Sequence, residues 1–247
     1  MYKFDKKSEL HKLTNHVLKV RDFVFDLIFP IDCISCEQEG SWLCHDCFKK
    51  LEFSREQYCL NCKTANKLGE FCYNCQKEYY LDGVIIAGNY DDKILNQLIK
   101  LLKYYFIKDI AVILGNYLIN FLQSNPYIKL NPKSIIIPVP LHQRRWRWRG
   151  FNQAEEIAKI VAQNLQLRIY TKNLIRTKHK KAQAKLNEKQ RLENVKDCYA
   201  WSGNNLTGAD IILIDDIATT GATLNECAKI LKQNGAGKVW GLVVAKG

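Results

Sequence analysis

The chain has 247 residues, 47% of them hydrophobic, enough for one large domain or a domain with a small module, and too apolar for a disordered chain. The 37 Lys and Arg against 25 Asp and Glu leave a formal charge of +12, which favours polyanionic partners, either nucleic acid or phosphorylated small molecules. No run of about 18 apolar residues is free of charge, so no transmembrane segment is expected.

The first apolar stretch, Val17 to Phe29, is interrupted by Lys19, Arg21, Asp22 and Asp26. It reads as an amphipathic helix packing on its own protein, within an N-terminal segment 1–32, and not as a signal peptide. A cytoplasmic protein is expected. That compartment keeps thiols reduced, so the ten cysteines call for an explanation other than disulfides.

Eight of those ten fall within a module at 33–77, as four Cys-x-x-Cys pairs: Cys33/Cys36, Cys44/Cys47, Cys59/Cys62 and Cys72/Cys75. Each pair is a knuckle that lets two thiolates grip one Zn²⁺, and four pairs supply two closed Cys₄ sites. Closed sites are structural, because no ligand position remains for chemistry. Sequential pairing and an interleaved cross-brace both satisfy the spacing. A module this small has too little core to fold without its metals. Cys198 and Cys227 stand apart and read as small core residues.

From residue 78 to 247 the pattern becomes strand, helix, strand. Val84–Gly88 reads as a buried strand, followed by a helix with Ile94, Leu95, Leu98, Leu101, Leu102 and Tyr105 at helical spacing. A second helix carries Ile110, Ile113, Leu114, Tyr117, Leu118 and Phe121. After the breakers Asn125-Pro126 and Asn131-Pro132, Ile135–Val139 is a short strand. Asn152 with Glu155 resembles a capping arrangement for a helix that turns Ala154, Ile157, Val161 and Leu165 inward. Arg176–Lys196 is polar and basic without core periodicity. Ile211–Asp215 is a strand, Thr223–Asn234 a helix and Val239–Ala245 a strand. This alternation predicts an α/β fold, a mostly parallel sheet with helices on both faces.

Between the Ile135–Val139 strand and the Asn152 helix, Arg144, Arg145, Arg147 and Arg149 interleave with Trp146 and Trp148. Arginine offers paired donors to phosphate oxygens, and the indoles offer faces on which single-stranded bases can stack. Pyrophosphate grip and nucleic-acid contact are both open. Near the chain end, Ile211-Ile212-Leu213-Ile214 runs into Asp215-Asp216 and then Ile217-Ala218-Thr219-Thr220-Gly221-Ala222-Thr223. Small residues let backbone N–H groups approach a phosphate, the following helix N-terminus adds donors, and Thr219, Thr220 and Thr223 add hydroxyls. Two acids beside such a cradle would repel phosphate, so they are expected to face ribose hydroxyls or Mg²⁺.

That last segment resembles the phosphoribosyl pyrophosphate signature of type I phosphoribosyltransferases. The order of motifs over about residues 27–245 resembles the ComF family of competence proteins, also called GntX-like. The matching pieces are Phe29-Pro30 before the first knuckle, Leu102-Lys103-Tyr104, Ile137-Pro138-Val139-Pro140-Leu141-His142 and Arg149-Gly150-Phe151-Asn152-Gln153. Gln183, Leu186, Arg191, Asn194 and Val195 match the family's flexible segment, while Lys185 and Tyr105 stand where small residues are common. The resemblance implies a type I phosphoribosyltransferase-like domain after a double zinc ribbon. Phosphoribosyl pyrophosphate with Mg²⁺ would then lie on Asp215, Asp216, Ala218, Thr219, Thr220, Gly221, Ala222 and Thr223. Arg144, Arg145 and the flexible segment with Arg176 would meet the pyrophosphate. The family implies DNA uptake, with single-stranded DNA bound and DNA-transport proteins at the inner membrane as partners. The alternative is a transferase that displaces pyrophosphate at ribose C1, with Asp215 and Asp216 catalytic and an unidentified base or amine as acceptor. Whether the site turns over or only binds is left open by the residues.

Overall fold

The protein is described by a computed structural model covering residues 31–178 and 195–247. The expected N-terminal helix, Phe29-Pro30 and the positions Gln183, Lys185, Leu186, Arg191 and Asn194 lie outside the described residues. The chain divides into two compact units, the first ending at Leu51 and the second running Glu52–Gly247.

In the first unit a tight turn carries Cys33 and Cys36, closed by Glu37 N–H donating to the Cys33 carbonyl at 2.8 Å. Cys44 immediately precedes a one-turn helix, α1 (His45–Phe48), on which Cys47 is buried.

The second unit opens with a small antiparallel ribbon, β1 (Gln57–Tyr58) with β2 (Ala65–Asn66), whose turn holds Cys59 and Cys62. The main sheet has five strands, all parallel: β3 (Gly83–Asn89), β4 (Ile135–Pro138), β5 (Arg168–Ile169), β8 (Ile211–Ala218) and β9 (Val239–Lys246). Their order is β3-β9-β8-β4-β5. A separate antiparallel pair, β6 (Leu174–Arg176) with β7 (Tyr199–Trp201), lies between β5 and β8 in the chain. The parallel α/β architecture expected of the chain is the one observed.

Unbroken apolar runs mark strands covered on both faces. Ile211, Ile212, Leu213 and Ile214 are all at most 2% exposed, so each contributes roughly 1.5–3 kcal/mol by burial. Alternate residues go to different partners. Val84, Ile86, Ile137, Leu213 and Val243 share one core with Leu224, Cys227 and Leu231 of α6 (Ala222–Gln233). Cys59, Leu60, Phe71 and Cys75 join that core, so the second cysteine group is built onto the face of the sheet. The other face is covered by α3 (Ile110–Ser124) and α5 (Gln153–Leu165), with Gly115 of α3 packed against Ile160 of α5. At the edge strand β3, the buried Gln57 amide donates to the Ile86 carbonyl and accepts the Ile86 N–H, both at 2.9 Å. It occupies the hydrogen-bonding groups that an edge would otherwise leave unpaired.

The helix predicted through Tyr105 is α2 (Lys93–Tyr104), capped by Asp92 accepting the Leu95 N–H at 2.8 Å. Tyr105 lies outside it and is 71% exposed, because Leu95, Leu98, Ile99 and Leu102 alone form the inward stripe. The basic aromatic stretch is helical as well: α4 (Gln143–Arg149), opened by the His142 ring accepting the Arg144 N–H and closed by Gly150 at φ 80. Asn152 caps α5 as expected, accepting the Ala154 N–H at 3.2 Å, while Glu155 pairs with Lys159 instead of closing a capping box.

Candidate functional site

From β4 the chain moves outward to β5, and from β8 it moves the other way to β9. Open α/β sheets hold ligands beyond the carboxyl ends of the strands at such a reversal. A cleft of about 570 Å³ opens there, lined by Val139 and Pro140 after β4 and by every residue from Asp215 to Leu224.

Asp216, 3% exposed, sends Oδ1 to Lys103 Nζ at 3.0 Å, on the last turn of α2. Its Oδ2 is buried with no hydrogen-bond partner. Asp215 accepts the Asp216 N–H at 2.9 Å. Burial, and then the charge of Asp216, push the Asp215 carboxyl up to about 8, against the pull of the Lys103 ammonium. One ammonium cannot balance two carboxylates out of water, so the second keeps its proton. The pair therefore presents Asp216, held by Lys103 with one oxygen unpartnered, and Asp215, which ionises when a cation or hydroxyl donor arrives.

β8 runs on to Ala218, three residues beyond the predicted end, and Thr219, Thr220 and Gly221 turn it into α6. Gly221 sits at the helix N-cap with φ 75, a left-handed conformation that a side chain disfavours. Thr220 Oγ1 accepts the Ala222 N–H at 3.3 Å. Small residues, hydroxyls and a helix N-terminus thus meet on the cleft in the way phosphate oxygens require.

Helical spacing sorts the basic stretch. Arg145, Trp148 and Arg149 of α4 line the cleft with Arg176 from the end of β6, whereas Arg144, Trp146 and Arg147 do not. Burial, then Arg176 and Arg149, depress the Arg145 guanidinium, and burial depresses that of Arg149. Arg149 Nη1 donates to Gln153 Oε1 at 2.8 Å, yet the Nε groups of Arg149 and Arg176 are buried without a partner. Donors held close together against their own repulsion are the chemistry of an anion site. Trp146 and Trp148 are 51% and 62% exposed, so neither folds into the core, although Trp148 meets Phe106 edge-on at 4.9 Å.

Residue-level reading missed the part Lys103 takes, because its partner is far along the chain; Lys103-Tyr104 at a helix end was the available signal. Tyr104, Asn152 and Gln153 also line the cleft. Asn152 Nδ2 donates to the Val139 carbonyl at 3.0 Å and ties the end of β4 to α5.

The cysteines pair sequentially: the sulfurs of Cys33, Cys36, Cys44 and Cys47 lie within 4.8 Å of one another, as do those of Cys59, Cys62, Cys72 and Cys75. Four sulfurs about 2.3 Å from a tetrahedral Zn²⁺ sit roughly 3.8 Å apart, and the Cys36–Cys44 and Cys62–Cys72 separations are 3.6 Å. The Thr64 hydroxyl and N–H draw the Cys62 thiol down to about 6, and against the effect of burial the Cys44 N–H helps draw Cys33 down to about 6. All are free thiols, and both donor sets fit structural zinc.

Residues 24–76 match the double zinc ribbon domain, a span that includes all eight clustered cysteines. The chain is 33% identical over 230 residues to competence protein F of Haemophilus influenzae, covering 88% of this chain and 98% of that one. It is 30% identical over 230 residues to competence protein ComFC of Bacillus subtilis, covering 84% and 91%. A DNA utilization protein of Escherichia coli, YhgH, is 34% identical over 147 residues, covering 59% and 64%. Among solved structures, a hypoxanthine phosphoribosyl transferase of Trypanosoma cruzi is 9% identical with a TM-score of 0.34, covering 57% and 65%, a likeness too slight to bear on function.

Proposed function

We propose, since this chain belongs to the family of competence proteins F and ComFC, that it acts in the cytoplasm in DNA uptake during natural transformation, binding phosphoribosyl pyrophosphate in its cleft and single-stranded DNA on the adjoining basic surface. One observation carries the cleft reading. Three guanidiniums, two with buried unpartnered Nε groups, share a cavity with an acid pair and a hydroxyl-rich helix N-terminus. A ligand carrying a phosphate, a diol and a pyrophosphate meets all three. The loop Ala218–Thr223 takes the 5-phosphate, Asp215 and Asp216 take the ribose hydroxyls, and Arg145, Arg149 and Arg176 take the pyrophosphate. Mg²⁺ entering with the ligand would neutralise pyrophosphate oxygens and give Asp215 a reason to ionise.

For DNA, the supporting feature is the outer side of α4, where Arg144, Trp146 and Arg147 are exposed and lie apart from the cleft. Arginines there would bind backbone phosphates with little sequence preference, and Trp146 gives a stacking face. DNA-transport proteins at the inner membrane are the proposed partners. Among the described residues no helix is long and apolar enough to cross a membrane.

The two halves of α4 make the reading testable. Arg145→Ala with Arg149→Ala is expected to weaken Mg²⁺–phosphoribosyl pyrophosphate in calorimetry, each charge-assisted contact contributing about 1.5–3 kcal/mol, and to spare single-stranded DNA. Arg144→Ala with Arg147→Ala is expected to do the reverse in fluorescence anisotropy, and to flatten the salt dependence by about 0.7 per lost contact. Wild-type protein that binds neither ligand, or variants that lose both together, would overturn it. Steady pyrophosphate release with a base or amine would move the protein to the transferases.

A further inference from the structure

The phosphate loop is supported from outside the cleft by the second cysteine cluster. Leu60 stands between Cys59 and Cys62, is 2% exposed, and shares a core with Ala222 in the loop and Leu224 just beyond it. A Cβ built on Gly221 would lie 2.5 Å from Leu60 Cδ2, so the leucine methyl is seated on the one loop residue that has no side chain. The knuckle fixes where that methyl can be. Cys59 N–H donates to the Thr64 carbonyl and Lys63 N–H to the Cys59 carbonyl, both at 2.9 Å, and Lys63 Nζ holds the Leu60 carbonyl at 2.9 Å. A second tie lies beyond the cluster, where the Tyr80 N–H donates to Asn225 Oδ1 of α6 at 2.7 Å.

Gly221 is a left-handed glycine whose carbonyl accepts the Asn225 N–H at 2.8 Å but which carries no side chain of its own to pack. The side chain that packs on it is bracketed by two cysteines of the second cluster. We propose that Leu60 is a positioning residue for the phosphate loop, and that metal in the second cluster, by holding Leu60 on Gly221, sets how well Ala218–Thr223 binds a phosphate. The affinity part rests on the reading that this loop holds the 5-phosphate of phosphoribosyl pyrophosphate; the clamp itself does not. Because coupling between sites is reciprocal, ligand in the cleft must also favour metal in the cluster.

The test uses the full chain with Leu60→Ala and the milder Leu60→Val and Leu60→Met. Zinc content is expected to stay at the wild-type value, since no ligand atom changes. Amides of Ala218–Thr223 are expected to exchange faster in Leu60→Ala, with those of α3 unchanged, and Leu60→Val and Leu60→Met to fall in between. Mg²⁺–phosphoribosyl pyrophosphate is expected to bind about tenfold more weakly to Leu60→Ala, within the usual range for coupled sites. Saturating ligand is expected to slow zinc transfer to a chelator in the wild type and to do so less in Leu60→Ala. Loop exchange unchanged in all three zinc-loaded variants would overturn the clamp. Wild-type protein that ignores phosphoribosyl pyrophosphate would overturn the ligand reading instead, and loop exchange would still decide the clamp.

Discussion

Asp215→Asn is expected to stabilise the protein while damaging its cleft, and the gain is expected to grow with pH. The carboxyl is pushed from 3.8 to about 8 by burial and then by Asp216, a rise of about 4 units since 8 − 3.8 = 4.2. At about 1.36 kcal/mol per unit the full shift sets a ceiling near 5–6 kcal/mol. Asp215 is only partly buried on the cleft, so about 1–3 kcal/mol is the expected share. The sign follows from proton counting. Between about pH 4 and 8 the folded state holds a proton that the unfolded state has released, so this group's contribution is present below pH 4 and is lost as pH rises through 8. Asparagine never ionises and escapes that loss. Thermal unfolding at pH 5.5 and 8.5 in dilute buffer reads it directly: a smaller advantage for the variant at the lower pH, where about 40% of the loss has accumulated, growing to about 3–10 °C at the upper. A pH-independent difference, or a wild type more stable at pH 8.5, would refute the coupled-acid reasoning.

Mg²⁺–phosphoribosyl pyrophosphate affinity is expected to rise with pH up to about 8 in the wild type, because the bound form needs Asp215 ionised, and to lose that component in Asp215→Asn; calorimetry in buffers of differing ionisation enthalpy checks the released proton. Lys103→Met is expected to cost about 3 kcal/mol in denaturant unfolding, since it leaves the Asp216 carboxylate, 4% exposed at its side chain, buried without its counter-ion. Metal analysis of protein prepared without chelator is expected to give two zinc ions per chain, with one ion meaning that a cluster is idle.

The strand, acid pair and loop of the proposed phosphate cradle were legible because each part is local. Four consecutive buried aliphatics, two acids and a run of small hydroxylated residues must follow one another along the chain to work, so their order survives in the sequence. The cysteine clusters were legible in number for the same reason, but spacing alone left sequential and cross-braced pairing equal. Only the fold decided, by bringing the four sulfurs of each sequential set within 4.8 Å of one another. The basic stretch was legible in composition and not in roles. Seven residues between His142 and Gly150 make two helical turns, so i, i+4 spacing turns Arg145 and Arg149 to the cleft and leaves Arg144 and Arg147 outside. Lys103–Asp216 and Leu60–Gly221 were out of reach, because each joins residues more than a hundred positions apart through packing that no local pattern records.

The charges of the cleft argue for one kind of occupant over others. A free inorganic anion would satisfy the guanidiniums and the loop, yet it would stand beside Asp216, whose Oδ2 already lacks a partner. A neutral nucleoside would satisfy the acids and leave Arg145, Arg149 and Arg176 repelling one another. Arg149, Asp215 and Asp216 line the same cleft, so one ligand can meet both kinds of charge. The molecule that lowers the free energy of every group carries hydroxyls at its middle and phosphates at both ends. That pattern of charge, more than the sheet beneath it, is the reason an activated ribose is the ligand proposed for this cleft.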